Sequence, residues 1–337
     1  MRTTKEIMMA AFQSMGIADA FGYDFEFNDP TKHTVRAALK LDTPLGITDD
    51  TQMALFGLEG LAAAATHPPQ PLDHLALRFI LPEYLAWYET QTKVQERRFP
   101  TWLAGQPLMQ ASRAPGNTCM GSLRQAYRSN TMARYDNHSK GDGAVMRSLP
   151  FVFAPWILGI TEKEATALAV MSGELTHGHE ESDRAVRMFM FLAFEMLREG
   201  DISMRVLNAL NKEFPQDTQH LLEYPTKVIC DKENTFTAMP ALRAAITAMG
   251  EGYFSAPEDG PEEGFNTMLV ECCANRGDSD TIGAIAGALW GLLEQPPVQL
   301  LARLKERDII TEAVAKTPVG DSLVRNVFPS QKEIQPE

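Results

Sequence analysis

The residues from Thr281 to Leu293 form an apolar run with Gly283, Gly287 and Gly291 at a spacing of four. That spacing puts all three glycines on one face of a helix. Glycine costs ~1 kcal/mol in a helix interior relative to alanine. Three on one face therefore imply a neighbouring helix packed too close for side chains. The fold must supply that partner and bury the pair. At twelve residues, Ile282–Leu293 is also the most apolar stretch, short of the ~20 that span a bilayer.

Helical periodicity dominates elsewhere. Helices are predicted from Asp49 through Ala65, and over Glu164–Met171, Arg184–Leu197, Ala241–Met249, Gly264–Cys273 and Leu300–Ala315. Phe151-Val-Phe153 is the best strand candidate and is short. With no repeat period and no Ser/Gly- or Pro-rich linker, the reading is an all-α, compact multi-helix domain over 1–330, with a frayed tail at 331–337. Three stretches read as loops: Thr66–Pro71, a weakly patterned insertion at Gln91–Pro107, and an acidic turn at Ser255–Gly264.

With 44% hydrophobic and 22% charged residues, the chain of 337 residues is globular. Its 44 Asp plus Glu against 31 Lys plus Arg give a net charge of −13. That balance argues against a nucleic-acid partner. Cys119, Cys230, Cys272 and Cys273 form neither a disulfide framework nor a zinc spacing. The N-terminal stretch does not read as a signal peptide. These features predict a soluble, cytoplasmic protein with no membrane contact.

Two short motifs carry the chemistry. Thr48-Asp49-Asp50-Thr51 opens one helix, and Asp278-Ser279-Asp280-Thr281 opens the glycine-striped one. Capping explains each singly: Thr48 is a natural N-cap, and first-turn acids complement the helix dipole. It explains poorly why both carry extra acids beside hydroxyls. If the two helix starts meet, four carboxylates share one place and repel, unless hard divalent cations such as Mg²⁺ or Mn²⁺ neutralise them. On spacing alone, Glu26 in the first loop, Asp19–Glu26, reads as a solvated acid. The turns at Gly116-Asn117-Thr118, Gly141-Asp142-Gly143-Ala144 and Gly250–Tyr253 read either as ordinary turns or as phosphate-holding backbone. His177 and His179, at i and i+2, do not share a helix face, which argues against zinc.

In this order, from about Gly16 to Gly291, the segments resemble the ADP-ribosylglycohydrolase family. Asp19-Ala-Phe-Gly22 with Glu26 is similar to its opening segment, and the two Asp-Thr motifs to its metal motifs. Gly116-Asn-Thr118, Gly141-Asp-Gly-Ala-Val-Met146-Arg147, Thr176-His177-Gly-His179 and Gly252-Tyr253 are similar to its substrate loops. Departures from the family pattern are Ala18 before Asp19, Asp142 in place of asparagine, Glu180 after the second histidine, and Arg276-Gly277 before Asp278.

The resemblance implies two Mg²⁺ (or Mn²⁺) held by Thr48, Asp49, Asp50, Asp278, Asp280 and Thr281. It implies Glu26, Asp49 and Asp278 as catalytic residues. Gly116, Asn117, Gly141, Asp142, Gly143, Met146, His177, Gly252 and Tyr253 would contact substrate, with Tyr253 on the adenine. The implied reaction cleaves an N-glycosidic bond and frees ADP-ribose from a protein side chain. Arginine is the expected acceptor, paired by rim acids Asp24, Glu26 and Asp29. The alternative is an immunity protein that neutralises a cognate ADP-ribosyltransferase toxin by binding it.

Overall fold

The computed structural model describes residues 2–129, 137–219, 221 and 223–320, with the side chains of 257–259 left aside; the tail at 331–337 lies outside them. The helices of 8 residues or more are α1 (Thr4–Gly22), α2 (Lys32–Leu39), α3 (Asp49–Ala64), α4 (Leu81–Thr92), α5 (Asn117–Ser129), α6 (Glu162–Glu174), α7 (Glu180–Glu199), α8 (Met204–Glu213), α9 (Ala238–Asp259), α10 (Pro261–Cys273), α11 (Ser279–Leu293) and α12 (Arg307–Lys316). No strand longer than an isolated bridge occurs among the described residues. The fold is all-α, and no described helix is long and apolar enough to cross a membrane.

The glycine stripe of α11 is the axis of the molecule. A Cβ on Gly283 would lie 2.5 Å from the Ala18 carbonyl oxygen, and Cβ atoms on Gly287 and Gly291 would meet Ser14 and Ala11 at least as closely. The partner is therefore α1. As the position rises along α11 it falls along α1, so the two run antiparallel. The C-terminal end of α1, with Asp19 and Gly22, then lies beside the start of α11, with Ser279 and Asp280. A side chain at Gly22 would clash with the Ser279 carbonyl. Both helices are buried along most of their length, and α3, α7, α9 and α10 close around them. A second close approach pins α9 to α10, where a Cβ on Gly252 would lie 2.5 Å from the Gly264 carbonyl oxygen.

Several sequence expectations shift. The supposed first loop is helical through Gly22 and then makes a short turn over Tyr23–Phe25. Phe151-Val-Phe153 is not a strand, because Leu149–Val152 is helical; the Pro150 beside it suits a first helical turn and lacks the N–H that a ladder needs. The acidic turn shrinks to Gly260 (φ 89°), with α9 running to Asp259 and α10 beginning at Pro261. Proline at the first helical position and glycine outside the preceding helix allow so tight a corner. The stretch Leu300–Ala315 is two helices, Val298–Arg303 and α12, broken where Leu45 bonds to Arg303 and Lys305.

The Gln91–Pro107 insertion is tied down by carboxylates on the helices beneath it. Glu89 on α4 accepts from the Arg98 and Phe99 amides, and Glu59 on α3 from the Trp102 and Leu103 amides. The segment after it is drawn to α3 by Gln52, which donates to the Ala111 carbonyl at 3.0 Å, and by Arg113, which donates to the Ile47 carbonyl at 2.8 Å.

Candidate active site

The close packing of α1 on α11 leaves Asp19 fully buried beside the start of α3. Its carboxylate accepts from the Thr48 and Thr51 amides at 3.1–3.2 Å and from their hydroxyls at 2.6 and 2.5 Å. Asp19 thus satisfies two of the otherwise orphaned N–H groups at the start of α3, those of Thr48 and Thr51. Sequence reasoning left it out of the site. Its signals are its place in the Asp19-Ala-Phe-Gly22 segment similar to the family's opening segment and, in the structure, its position where α1 meets Gly283 of α11. Thr48 also caps α3, accepting from the Asp50 amide.

The two Asp-Thr helix starts meet. Carboxylate oxygens of Asp19, Asp50 and Asp280 lie within 4.8 Å of one another, as do those of Glu26, Asp278 and Asp280. Asp280 belongs to both groups. Above them opens a cavity of ≈500 Å³ lined by Glu26, Asp49, Asp50, Asp278, Asp280 and Thr281, within the range of small-molecule sites. Asp49 is fixed by the Gly116 amide, which donates to its Oδ2 at 3.0 Å.

Burial raises every one of these acids. It pushes Asp19 up to about 7 and Asp142 up to about 6. Glu26 rises to about 8 through burial and then the charges of Asp280 and Asp142. Asp49, Asp50 and Asp278 stand well above the usual carboxylate range, first from burial and then from neighbouring acids. Asp280 is raised by burial as well.

Divalent cations fit this donor set. The buried oxygens Asp50 Oδ1 and Asp142 Oδ2 have no hydrogen-bond partner among the described residues. Hard oxygen donors with spare lone pairs and excess negative charge are what Mg²⁺ or Mn²⁺ require.

The cavity is also lined by Gly116, Asn117, Gly141, Asp142, Gly143, Met146 and His177. Gly143 sits where a Cβ would lie 2.7 Å from the His177 ring and 2.9 Å from the Cys119 sulfur. Arg147 holds this part of the lining, fully buried. It donates to the Gly143 carbonyl at 2.5 Å, the Ser172 carbonyl at 2.9 Å and the Thr176 hydroxyl at 2.7 Å, and lies 4.7 Å from the centre of the Tyr84 ring. Burial, with Arg147 adding to it, drops His177 to about 3, so its imidazole is neutral. His179 faces elsewhere and caps α7 through the Glu181 amide.

Gly252 and Tyr253 are not at the cavity. Gly252 serves the α9–α10 contact, and Tyr253 packs edge-on to Trp290, with ring centres 6.3 Å apart. The aromatic surface at the cavity is instead Phe27 stacked on Phe236, centres 5.6 Å apart and nearly parallel. Phe27 is 77% exposed and holds a left-handed backbone (φ 62°). A bulky residue rarely adopts that conformation. No periodic pattern flagged either ring. Asp29 does not offer free negative charge at the rim: Lys227 pairs with it at 2.9 Å and Arg276 at 2.8 Å.

The ADP-ribosylglycohydrolase family model matches residues 3–331. The chain is similar to the ADP-ribosyl-[dinitrogen reductase] glycohydrolase of Rhodospirillum rubrum, at 24% identity over 303 residues covering 84% of each chain. Its fold is similar to a solved structure titled ADP-ribosylglycohydrolase-related protein complex, with TM-score 0.59, 20% identity, and coverage of 93% of this chain and 97% of that one. A family match running almost end to end, over a chain whose two Asp-Thr helix starts converge on one acidic cavity, means that the chain belongs to the ADP-ribosylglycohydrolase family.

Proposed function

We propose that this glycohydrolase releases ADP-ribose from a modified protein side chain by cleaving an N-glycosidic bond, with arginine as the acceptor, in a reaction that depends on two divalent cations. The observation that carries the reading is the shared Asp280 between two carboxylate groups at the floor of one cavity. Asp50 and Asp280, with Asp19 behind them, suit one cation; Glu26, Asp278 and Asp280 suit the second. The hydroxyls of Thr48 and Thr281 lie beside these acids. When bound, the cations would supply positive charge that neutralises the acids and polarises oxygen ligands.

The chain's own residues do the rest. Breaking the bond at the anomeric carbon builds positive charge on the sugar, which the surrounding carboxylates stabilise. Asp49, held by the Gly116 amide, and Asp278 both line the cavity, and in this reading one of them takes the proton of the attacking water. The water oxygen joins the anomeric carbon as the C–N bond breaks, and the acceptor nitrogen leaves with the bonding pair and takes up the proton that the carboxylate received from the water. Neutral His177 and the Gly141–Gly143 turn line the wall that contacts the ribose and phosphates. The adenine stacks on the Phe27–Phe236 pair. A modified-protein substrate is further supported by the Rhodospirillum rubrum relative, whose name states such a substrate.

The test is release of ADP-ribose from an arginine-linked against a serine-linked protein at matched concentration. Faster release from arginine is expected. Faster release from serine would overturn the arginine assignment, and no release from either would overturn the hydrolase.

A further inference from the structure

A second cavity, of ≈370 Å³, lies away from the acids described above. Its walls come from α3 (Glu59, Ala62, Ala63), Glu83 on α4, Trp102 in the insertion, and Lys316 at the end of α12. From this arrangement we infer that the cavity is a binding site for a small organic cation, a protonated alkylamine, seated between the Glu83 carboxylate and the Trp102 indole.

Three observations carry the inference. Glu83 is 8% exposed, yet its Oε2 has no hydrogen-bond partner among the described residues while the residue lines the cavity. Such an oxygen normally finds a donor. Next, the Trp102 ring already attracts a cation: the Lys316 ammonium sits 3.5 Å from its centre. That ammonium is tethered only by a half-exposed side chain, paired with Glu312 at 2.7 Å, and can yield the indole face to a ligand. Finally, the alanine walls suit methylene groups, and two carboxylates exclude an anion.

Glu59 cannot play the part of Glu83, because its two oxygens are taken by the Trp102 and Leu103 amides. It instead adds negative charge. The groups facing Glu83 are Glu59, the Thr101 hydroxyl and, across the cavity, Lys316 with its partner Glu312. Burial, and then the charge of Glu59, pushes Glu83 up to about 8, so it holds a proton near neutrality. A cation arriving beside it displaces that proton to solvent: one charge enters and one leaves. Binding should therefore strengthen as pH rises towards the Glu83 pKa.

The experiment is calorimetric titration of the full chain with n-butylamine, with n-butanol as the uncharged probe of the same stem. Saturable n-butylamine binding is expected, about tenfold tighter at about pH 9 than at about pH 7. Proton release should appear as a heat that depends on the buffer. Glu83→Gln copies the protonated acid and should keep the melting temperature while weakening n-butylamine at least about tenfold. Trp102→Leu should weaken it as well, and decides the matter if the first variant does not fold. Absence of saturable binding, equal affinity for n-butanol, or undiminished binding in the variants would overturn the site.

Discussion

Asp19 and Phe236 mark the limits of reading this site residue by residue. The acids of the two Asp-Thr motifs were legible because each sits at a helix start with more carboxylates than a cap needs. Asp19 opens a segment similar to the family's first motif, but its role was not legible, since its partners Thr48 and Thr51 come from a helix whose neighbour the sequence does not show. The resemblance puts the adenine on Tyr253, beside Gly252. In the structure that glycine answers to a helix contact, and the ring to Trp290. Phe236→Ala should weaken ADP-ribose by ~1–3 kcal/mol, the usual worth of a base stacked on an aromatic ring, while Tyr253→Ala leaves it unchanged. Calorimetry on both variants checks this. The reverse pattern would return the base to Tyr253.

At the scale of elements, glycine spacing carried more information than hydropathy. The α11 stripe announced a close partner, and the structure supplies α1. What could not be read was which helix, because α1 bears no matching stripe and offers mainly alanine, serine and its own backbone. Boundaries drifted for local reasons, as at Gly260-Pro261, where a corner of one residue replaces a long turn. Gly287→Ala pushes a Cβ against the Ser14 carbonyl, which is backbone and cannot step aside. It should cost at the upper end of ~1–3 kcal/mol or more. Gly121→Ala, on α5 with open space around it, should stabilise by ~1 kcal/mol. Thermal melts of both should move in opposite directions. A neutral Gly287→Ala would contradict the stripe as the molecule's axis.

At the scale of the molecule, the packing that makes the core also crowds acids together. Asp19 near 7, Glu26 near 8 and Asp142 near 6 all lie above their ordinary values of 3.8, 4.5 and 3.8. Between those limits the native chain holds more protons than the unfolded one, so stability falls as pH rises. The contribution is complete below about pH 4 and is lost as pH passes through 6 to 8. Metal-stripped protein should therefore melt lower at pH 8 than at pH 6. Mg²⁺ at a hundred times its Kd should restore ~2.7 kcal/mol per site. A melting temperature indifferent to both pH and Mg²⁺ would mean the acids do not share one place.

The most direct test is the rate of ADP-ribose release from an arginine-modified protein by the stripped enzyme, before and after Mg²⁺ is returned, in the wild type and in Asp280→Asn. Asp280 belongs to both carboxylate groups, so its loss disturbs both cation sites at once. The expected result is a rate that collapses on stripping, recovers with Mg²⁺ in the wild type, and in Asp280→Asn stays at least ~10–100-fold lower with an unchanged helical spectrum. A stripped enzyme that keeps its rate, or an Asp280→Asn variant within a few-fold of wild type, would contradict the account.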